Sequence, residues 1–179
     1  MNVVIETDCL LLRTFTEDDA SLLYELNLDP EVTRYTHDPM TDLEQAKKVL
    51  DEVILPQYAL YNHGRWAVHL KPDLEFIGWC GLKSMPETLP TGMQGNEIDL
   101  GYRFMKKFWG KGYATEAAFA SIQYGFTGLD LQKITGRALT GNLASIKVLE
   151  KCGMKFLAEE YVHGYLHKTY QAMNPAIKA

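Results

Sequence analysis

Apolar and polar residues follow two rhythms along this chain, and the switches between them mark its elements. Residues 3–13 alternate in a run rich in Leu and Val, which predicts a strand. Thr16-Glu17-Asp18-Asp19 then reads as a helix start: Thr16 can cap free backbone N–H groups, and the acids suit the positive end of the helix dipole. Leu22, Leu23 and Leu26 give that helix an apolar side, and Asp29-Pro30 breaks it. A second helix is expected over 41–55, ended by Pro56. Strands are expected over Arg65–Leu70 and 75–83, around the turn Lys71-Pro72-Asp73. Residues 85–95 hold two prolines and two glycines and read as a loop. Then come a strand (96–105), a helix (112–126), a strand (Lys133–Leu139), and a helix (142–152) stopped by Gly153 in the C′ position. Residues 156–161 and Tyr165–Met173 read as a closing hairpin.

The order β-α-α-β-β-β-α-β-α-β-β, with a strand–helix–strand unit in the middle, predicts an α+β domain around a mixed sheet. No linker or repeat interrupts it, so residues 1–179 are expected to form a single domain. The net charge of −5 disfavours a nucleic-acid partner, which needs a basic face. Three widely spaced cysteines, Cys9, Cys80 and Cys152, with no CxxC pattern, argue against a disulfide framework or a zinc site. His163 and His167 have HxxxH spacing, but Gly164 stands where a metalloprotease has Glu, so no metal is expected. The N-terminus lacks the pattern of a secretory signal, and no apolar run approaches the ~20 residues of a membrane span. The expectation is a cytoplasmic protein with no membrane partner.

The chemistry concentrates in Tyr102-Arg103-Phe104-Met105-Lys106-Lys107-Phe108-Trp109-Gly110-Lys111-Gly112-Tyr113-Ala114-Thr115-Glu116-Ala117. A strand, a basic glycine-containing turn and a helix start make an anion site, because free N–H groups at a helix N-terminus point at whatever lies there. Glycines allow close approach and φ > 0, and Lys106, Lys107 and Lys111 add counter-charge. The expected ligand group is a phosphate or pyrophosphate. A P-loop would need GxxxxGK[ST]; Gly112 follows Lys111, and Met105 holds the first glycine's place. A dinucleotide fingerprint would need a third glycine where Thr115 stands. The plainer alternative is a turn that only caps a helix, with solvated lysines.

The whole chain resembles the GNAT superfamily of acyl-CoA-dependent N-acetyltransferases, in the branch of RimJ/RimL ribosomal-protein N-terminal acetyltransferases. Four stretches carry the resemblance in order: Glu6 to Arg13 with Thr16-Glu17-Asp18-Asp19-Ala20; Asp29-Pro30-Glu31-Val32; Asp99-Leu100-Gly101-Tyr102 through Trp109 to Ala117; and Asn142, Ser145 and Glu150-Lys151-Cys152-Gly153-Met154. The resemblance implies a mixed sheet with a splayed strand pair and acetyl-CoA as co-substrate. It implies backbone contacts to the pantetheine arm at Tyr102, Arg103 and Phe104. The pyrophosphate would rest on Trp109, Gly110, Lys111, Gly112, Tyr113, Ala114 and Thr115, and Asn142 would help hold the cofactor. Lys107 stands where the family often has Gln or Arg, and is expected to touch the cofactor. Leu149 replaces a tyrosine that many members use to protonate the leaving thiolate, so Ser145, on the same helix face, is expected as proton donor. Glu97 and Asp99, on one strand face, are the candidates for the base. The expected acceptor is a primary amine, preferably the N-terminal α-amino group of a peptide or protein. The alternatives are a small amine (polyamine, amino acid or antibiotic), a non-catalytic acyl-CoA-binding module, or, more remotely, a dinucleotide-binding oxidoreductase. The branch includes dimers, so a homodimer is a further expectation.

Overall fold

In the computed structural model of the chain, residues 1–85 and 97–176 are described. The expected loop from Pro86 onward, with Asn96, lies outside them. Eight strands form one sheet: β1 (Val3–Glu6), β2 (Leu10–Thr14), β3 (Arg65–Leu70), β4 (Phe76–Met85), β5 (Glu97–Phe104), β6 (Lys133–Leu139), β7 (Lys155–Val162) and β8 (Tyr165–Met173). Their spatial order is β1-β2-β3-β4-β5-β6-β8-β7, and among the described residues only β5–β6 is parallel. The helices are α1 (Ala20–Asn27), α2 (Pro30–Thr33), α3 (Leu43–Val49), α4 (Leu55–Tyr61), α5 (Tyr113–Thr127) and α6 (Leu143–Lys151). This is the expected α+β architecture. No helix among the described residues is long and apolar enough to cross a membrane.

Three elements differ from the sequence expectation, each for a local reason. The single strand over 3–13 is a hairpin, turned at Thr7-Asp8-Cys9. The turn is tied from far away: Glu116 Oε1 accepts from the Thr7 hydroxyl at 2.6 Å and the Cys9 N–H at 2.9 Å. Asp29-Pro30 ends α1 but also opens α2. Proline is tolerated in a first helical turn, and the Asp29 carboxylate accepts from the Glu31 N–H at 2.9 Å. Pro56 does not end the second helix. The turn over Leu50–Ile54 is widened, with the Leu55 N–H donating to the Leu50 carbonyl, and the chain stays helical to Tyr61.

Two apolar clusters cover the two faces of the sheet. On one face Leu23 and Leu26 of α1, Ala46 of α3, Leu50 and Ile54 pack against Ala67, Phe76 and Trp79. On the other, Ala117, Ala118, Ile122 and Phe126 of α5 and Ile146 and Leu149 of α6 pack against Val68, Leu82, Leu100 and Ile134. Removing this much apolar surface from water is the main force holding the layers together.

The middle of the sheet is where the fold makes a site. β5 stays paired with β4 from Glu97 to Phe104. It pairs with β6 only at Asp99 and Leu100. Beyond Leu100 the two parallel strands diverge, leaving one edge of β5 open.

Candidate functional site

The open edge of β5 has defined chemistry. The Met105 N–H donates to the Ile77 carbonyl of β4. Backbone groups alternate sides along a strand, so those of Arg103 also face β4, while those of Tyr102 and Phe104 face the gap. The Phe104 carbonyl there accepts from Trp109 Nε1 at 2.8 Å. The Phe104 N–H and the backbone of Tyr102 are left for an extended, amide-bearing ligand.

The gap continues into a groove of about 400 Å³ that runs past Trp109, Gly110, Gly112, Tyr113, Ala114 and Thr115 to Asn142 and Ser145. Gly110 (φ 73°) and Gly112 (φ 87°) both adopt left-handed backbone, and a Cβ at either would meet nothing within 4 Å. The turn therefore presents bare backbone to open space. Gly112 precedes α5, whose first N–H groups have no side-chain cap. Lys147 and Lys151 of α6 line the same groove. Strand-edge amides, a helix N-terminus and flanking ammonium groups fit a ligand that combines a peptide-like arm with phosphates, which is the chemistry of acetyl-CoA.

At the groove's inner end the Tyr102 hydroxyl lies 2.9 Å from Ser145 Oγ and donates to the Ser145 carbonyl at 3.0 Å. Asn142 fixes this end of α6 by accepting from the Ser145 N–H at 3.2 Å. Burial holds the Tyr102 proton well above the ordinary tyrosine range, against the lowering effect of its bond to Ser145.

A second cavity, of about 440 Å³, opens on the α1–α3 face of the sheet. It shares Tyr35, Thr36, Tyr102, Arg103, Asn142 and Ser145 with the groove, so the two spaces meet at the splay. Trp79, Arg65, Lys83, Asp99, Arg137 and His167 also line it. The floor is open because Gly101 lacks a side chain: a Cβ there would lie 2.9 Å from the Lys83 chain and 3.1 Å from the Trp79 ring.

The structure brings together most of the expected residues and reassigns others. Ser145, Asn142, Tyr102, Phe104 and the turn from Trp109 to Thr115, except Lys111, line the groove. Arg103 lines it too, but its guanidinium crosses to the second cavity, where it donates to Asn27, to Thr36 Oγ1 at 2.8 Å and to Asp38 at 2.7 Å. Lys107 pairs instead with Glu75 at 2.7 Å. Lys111 sits 5.5 Å from the Phe108 ring centroid. Neither of these two lysines lines the groove. Asp99 borders the cavity with both oxygens held, by Arg137 at 3.1 Å and Lys83 at 3.0 Å. Glu97 pairs with Arg137 at 2.7 Å and is not among the lining residues. Leu149 turns away from Ser145 into the core, against Gly136. Sequence reasoning missed Lys147, Lys151, Arg65, His167 and the Tyr102 hydroxyl, because their convergence depends on pairings distant in sequence.

Comparison with known proteins identifies the family and the fold. Residues 10–155 match the family model described as an acetyltransferase (GNAT) domain. The uncharacterized N-acetyltransferase p20 of Bacillus licheniformis is 32% identical over 161 residues, covering 89% of this chain and 85% of that protein. A RimL ribosomal L7/L12 α-N-protein acetyltransferase in complex with coenzyme A superposes with a TM-score of 0.78 at 17% identity, covering 98% of this chain and 100% of that one. The spermidine N-acetyltransferase of Vibrio cholerae, in complex with CoA and spermine, superposes with a TM-score of 0.73 at 17% identity, over 92% and 95% of the two chains.

Proposed function

Because this chain belongs to the acetyltransferase (GNAT) family, and is an acyltransferase that uses acetyl-CoA, we propose that it acts in the RimJ/RimL manner: an acetyl group passes directly to the α-amino group of its acceptor while both substrates are bound. The observation that carries this reading is the meeting of the phosphate-compatible groove and the second cavity at Tyr102 and Ser145. Acetyl-CoA supplies the thioester. The Phe104 N–H, which faces the open edge, would bond the thioester carbonyl oxygen and steady the charge that develops on it. Ser145 gives a proton to the departing sulfur, and Tyr102 orients the serine hydroxyl. The acceptor's amine loses its proton into the second cavity, where Asp99, of the two carboxylates considered, borders the space.

The cysteines favour direct transfer. Burial pushes the Cys152 thiol up to about 11 and Cys80 up to about 12. Neither is a ready thiolate nucleophile at neutral pH.

The test is thiol release from acetyl-CoA against a panel of peptides with free N-termini, free amino acids and spermidine. Release with peptides supports the preferred acceptor. Release only with small amines replaces it with a small-molecule acetyltransferase. A protein that binds acetyl-CoA yet releases no thiol with any acceptor would be a binding module.

A further inference from the structure

The described wall of the acceptor cavity carries four cationic side chains, Arg65, Lys83, Arg103 and Arg137, against two carboxylates, Asp38 and Asp99. Three of the cations have carboxylate partners. Arg103 pairs with Asp38, Lys83 with Asp99, and Arg137 with Asp99, Glu97 and Glu160. Arg65 is different. Among the described residues its guanidinium pairs with no carboxylate, and its buried Nε has no hydrogen-bond partner. Its neighbour is the Trp79 ring, whose centroid lies 5.0 Å from Cζ. Burial first, and the charge of Arg103 second, act to discharge it, and the more distant charges of Asp38 and Asp99 offset this only in part.

A half-buried guanidinium with no carboxylate bonded to it and a buried Nε without a partner costs free energy to keep, yet the fold holds this one at the wall of the space that receives the acceptor. Packing on Trp79 restrains the planar group while leaving its donors for a ligand. That arrangement suits a carboxylate, which accepts two parallel N–H bonds from the guanidinium fork. We infer that Arg65 binds a carboxylate carried by the amine acceptor, so that the enzyme acetylates amino-carboxylate compounds rather than polyamines. The carboxylate is either that of a free amino acid or that of an acidic side chain close behind a peptide N-terminus. The amine half of this statement rests on the transferase reading; the anion half does not. A polyamine carries no anion for Arg65 to bind, and its own charge would be set against the Arg65 guanidinium.

Two measurements test it separately from that reading. The first compares thiol release for matched acceptors: amino acids against their amides, and peptides with Asp or Glu in second place against Asn or Gln. In whichever class turns over, the acid should exceed the amide by roughly tenfold or more in kcat/KM. Arg65→Met should erase that preference by slowing the acid alone, and Arg65→Lys should keep part of it. Equal rates for acid and amide in the unaltered enzyme would overturn the inference, whether or not Arg65→Met folds. The second is a calorimetric titration of the CoA-saturated protein with succinate, which has no amine to react. Binding that disappears in Arg65→Met supports the site; no binding, or equal binding in both proteins, overturns it. Arg65-dependent succinate binding without turnover of any acceptor would retire the transferase reading and leave the anion site standing.

Discussion

Ser145 and Tyr102 share two hydrogen bonds at the place where groove and cavity meet, and their roles separate by substitution. Ser145→Ala should lower kcat by about 100-fold, the usual scale for losing one positioned proton donor. The dissociation constant for acetyl-CoA should stay nearly unchanged, because Asn142 and the Gly110–Gly112 turn are untouched. Tyr102→Phe keeps the ring and removes only the hydroxyl that orients Ser145, so its loss should be smaller. Full turnover in Ser145→Ala would remove the serine from the mechanism. Asp99→Asn should cost more activity than Glu97→Gln, since only Asp99 borders the cavity; the reverse order would exclude Asp99 as base. At this scale the linear motif was readable. Gly110, Gly112, Asn142 and Ser145 fall at spacings that local backbone geometry imposes. The Tyr102 hydroxyl was not readable, because it meets Ser145 across 43 positions of sequence.

The elements that frame the site are tied by polar contacts as well as by packing. Arg13 on β2 makes a bidentate pair with Asp19, at 2.6 and 2.8 Å, just before α1. Burial by itself would raise the Asp19 carboxyl, but the bonds from Arg13 and Thr16 outweigh it and hold the group below the usual carboxylate range. His69 on β3 completes the network. Its Nε2 accepts from Arg13 Nε at 3.1 Å, and its Nδ1–H donates to the Leu74 carbonyl at 2.8 Å. One nitrogen must accept and the other donate, so the ring is neutral. Burial, assisted by the Arg13 charge, lowers its pKa despite the opposing bond to Leu74. As pH falls through about 6.5, the unfolded chain takes a proton that the folded one refuses, so stability declines from there towards the lower folded value. Above that window His69 contributes no pH dependence. Denaturant unfolding of His69→Gln should show a shallower decline over that range. His63, also buried and shifted down, should account for part of what remains. An unchanged slope would contradict this neutral assignment. Sequence patterning located most of these elements but misjudged Pro56, because it could not foresee the widened turn before it.

Across the whole molecule, the groove and the second cavity meet through the gap between β5 and β6, so under the proposed mechanism neither substrate has to leave before the other binds. Initial rates with both substrates varied should therefore give intersecting reciprocal plots, as a ternary complex requires. Parallel lines would indicate an acetylated enzyme, and the buried cysteines would have to be reconsidered. The gap itself follows from topology. A parallel pair held at only two positions, Asp99 and Leu100, diverges because β4 continues to hold β5 while β8 holds β6 along its length.

The sequence by itself determined the class of fold and the glycine turn that leads into α5, because these depend on short-range periodicity and on residues adjacent in the chain; at that turn the residues pointed to a phosphate, and acetyl-CoA was implied by the family resemblance. Tertiary structure alone decided the rest. Lys107 is drawn to Glu75 while Lys147 and Lys151 take the groove, and the Arg103 side chain reaches away from its strand to Asp38. Arg65, one of five arginines in the sequence, is left without a carboxylate partner among the described residues. Which charges pair and which stay open depends on distances that strand register and helix packing set, and no spacing along the chain encodes them.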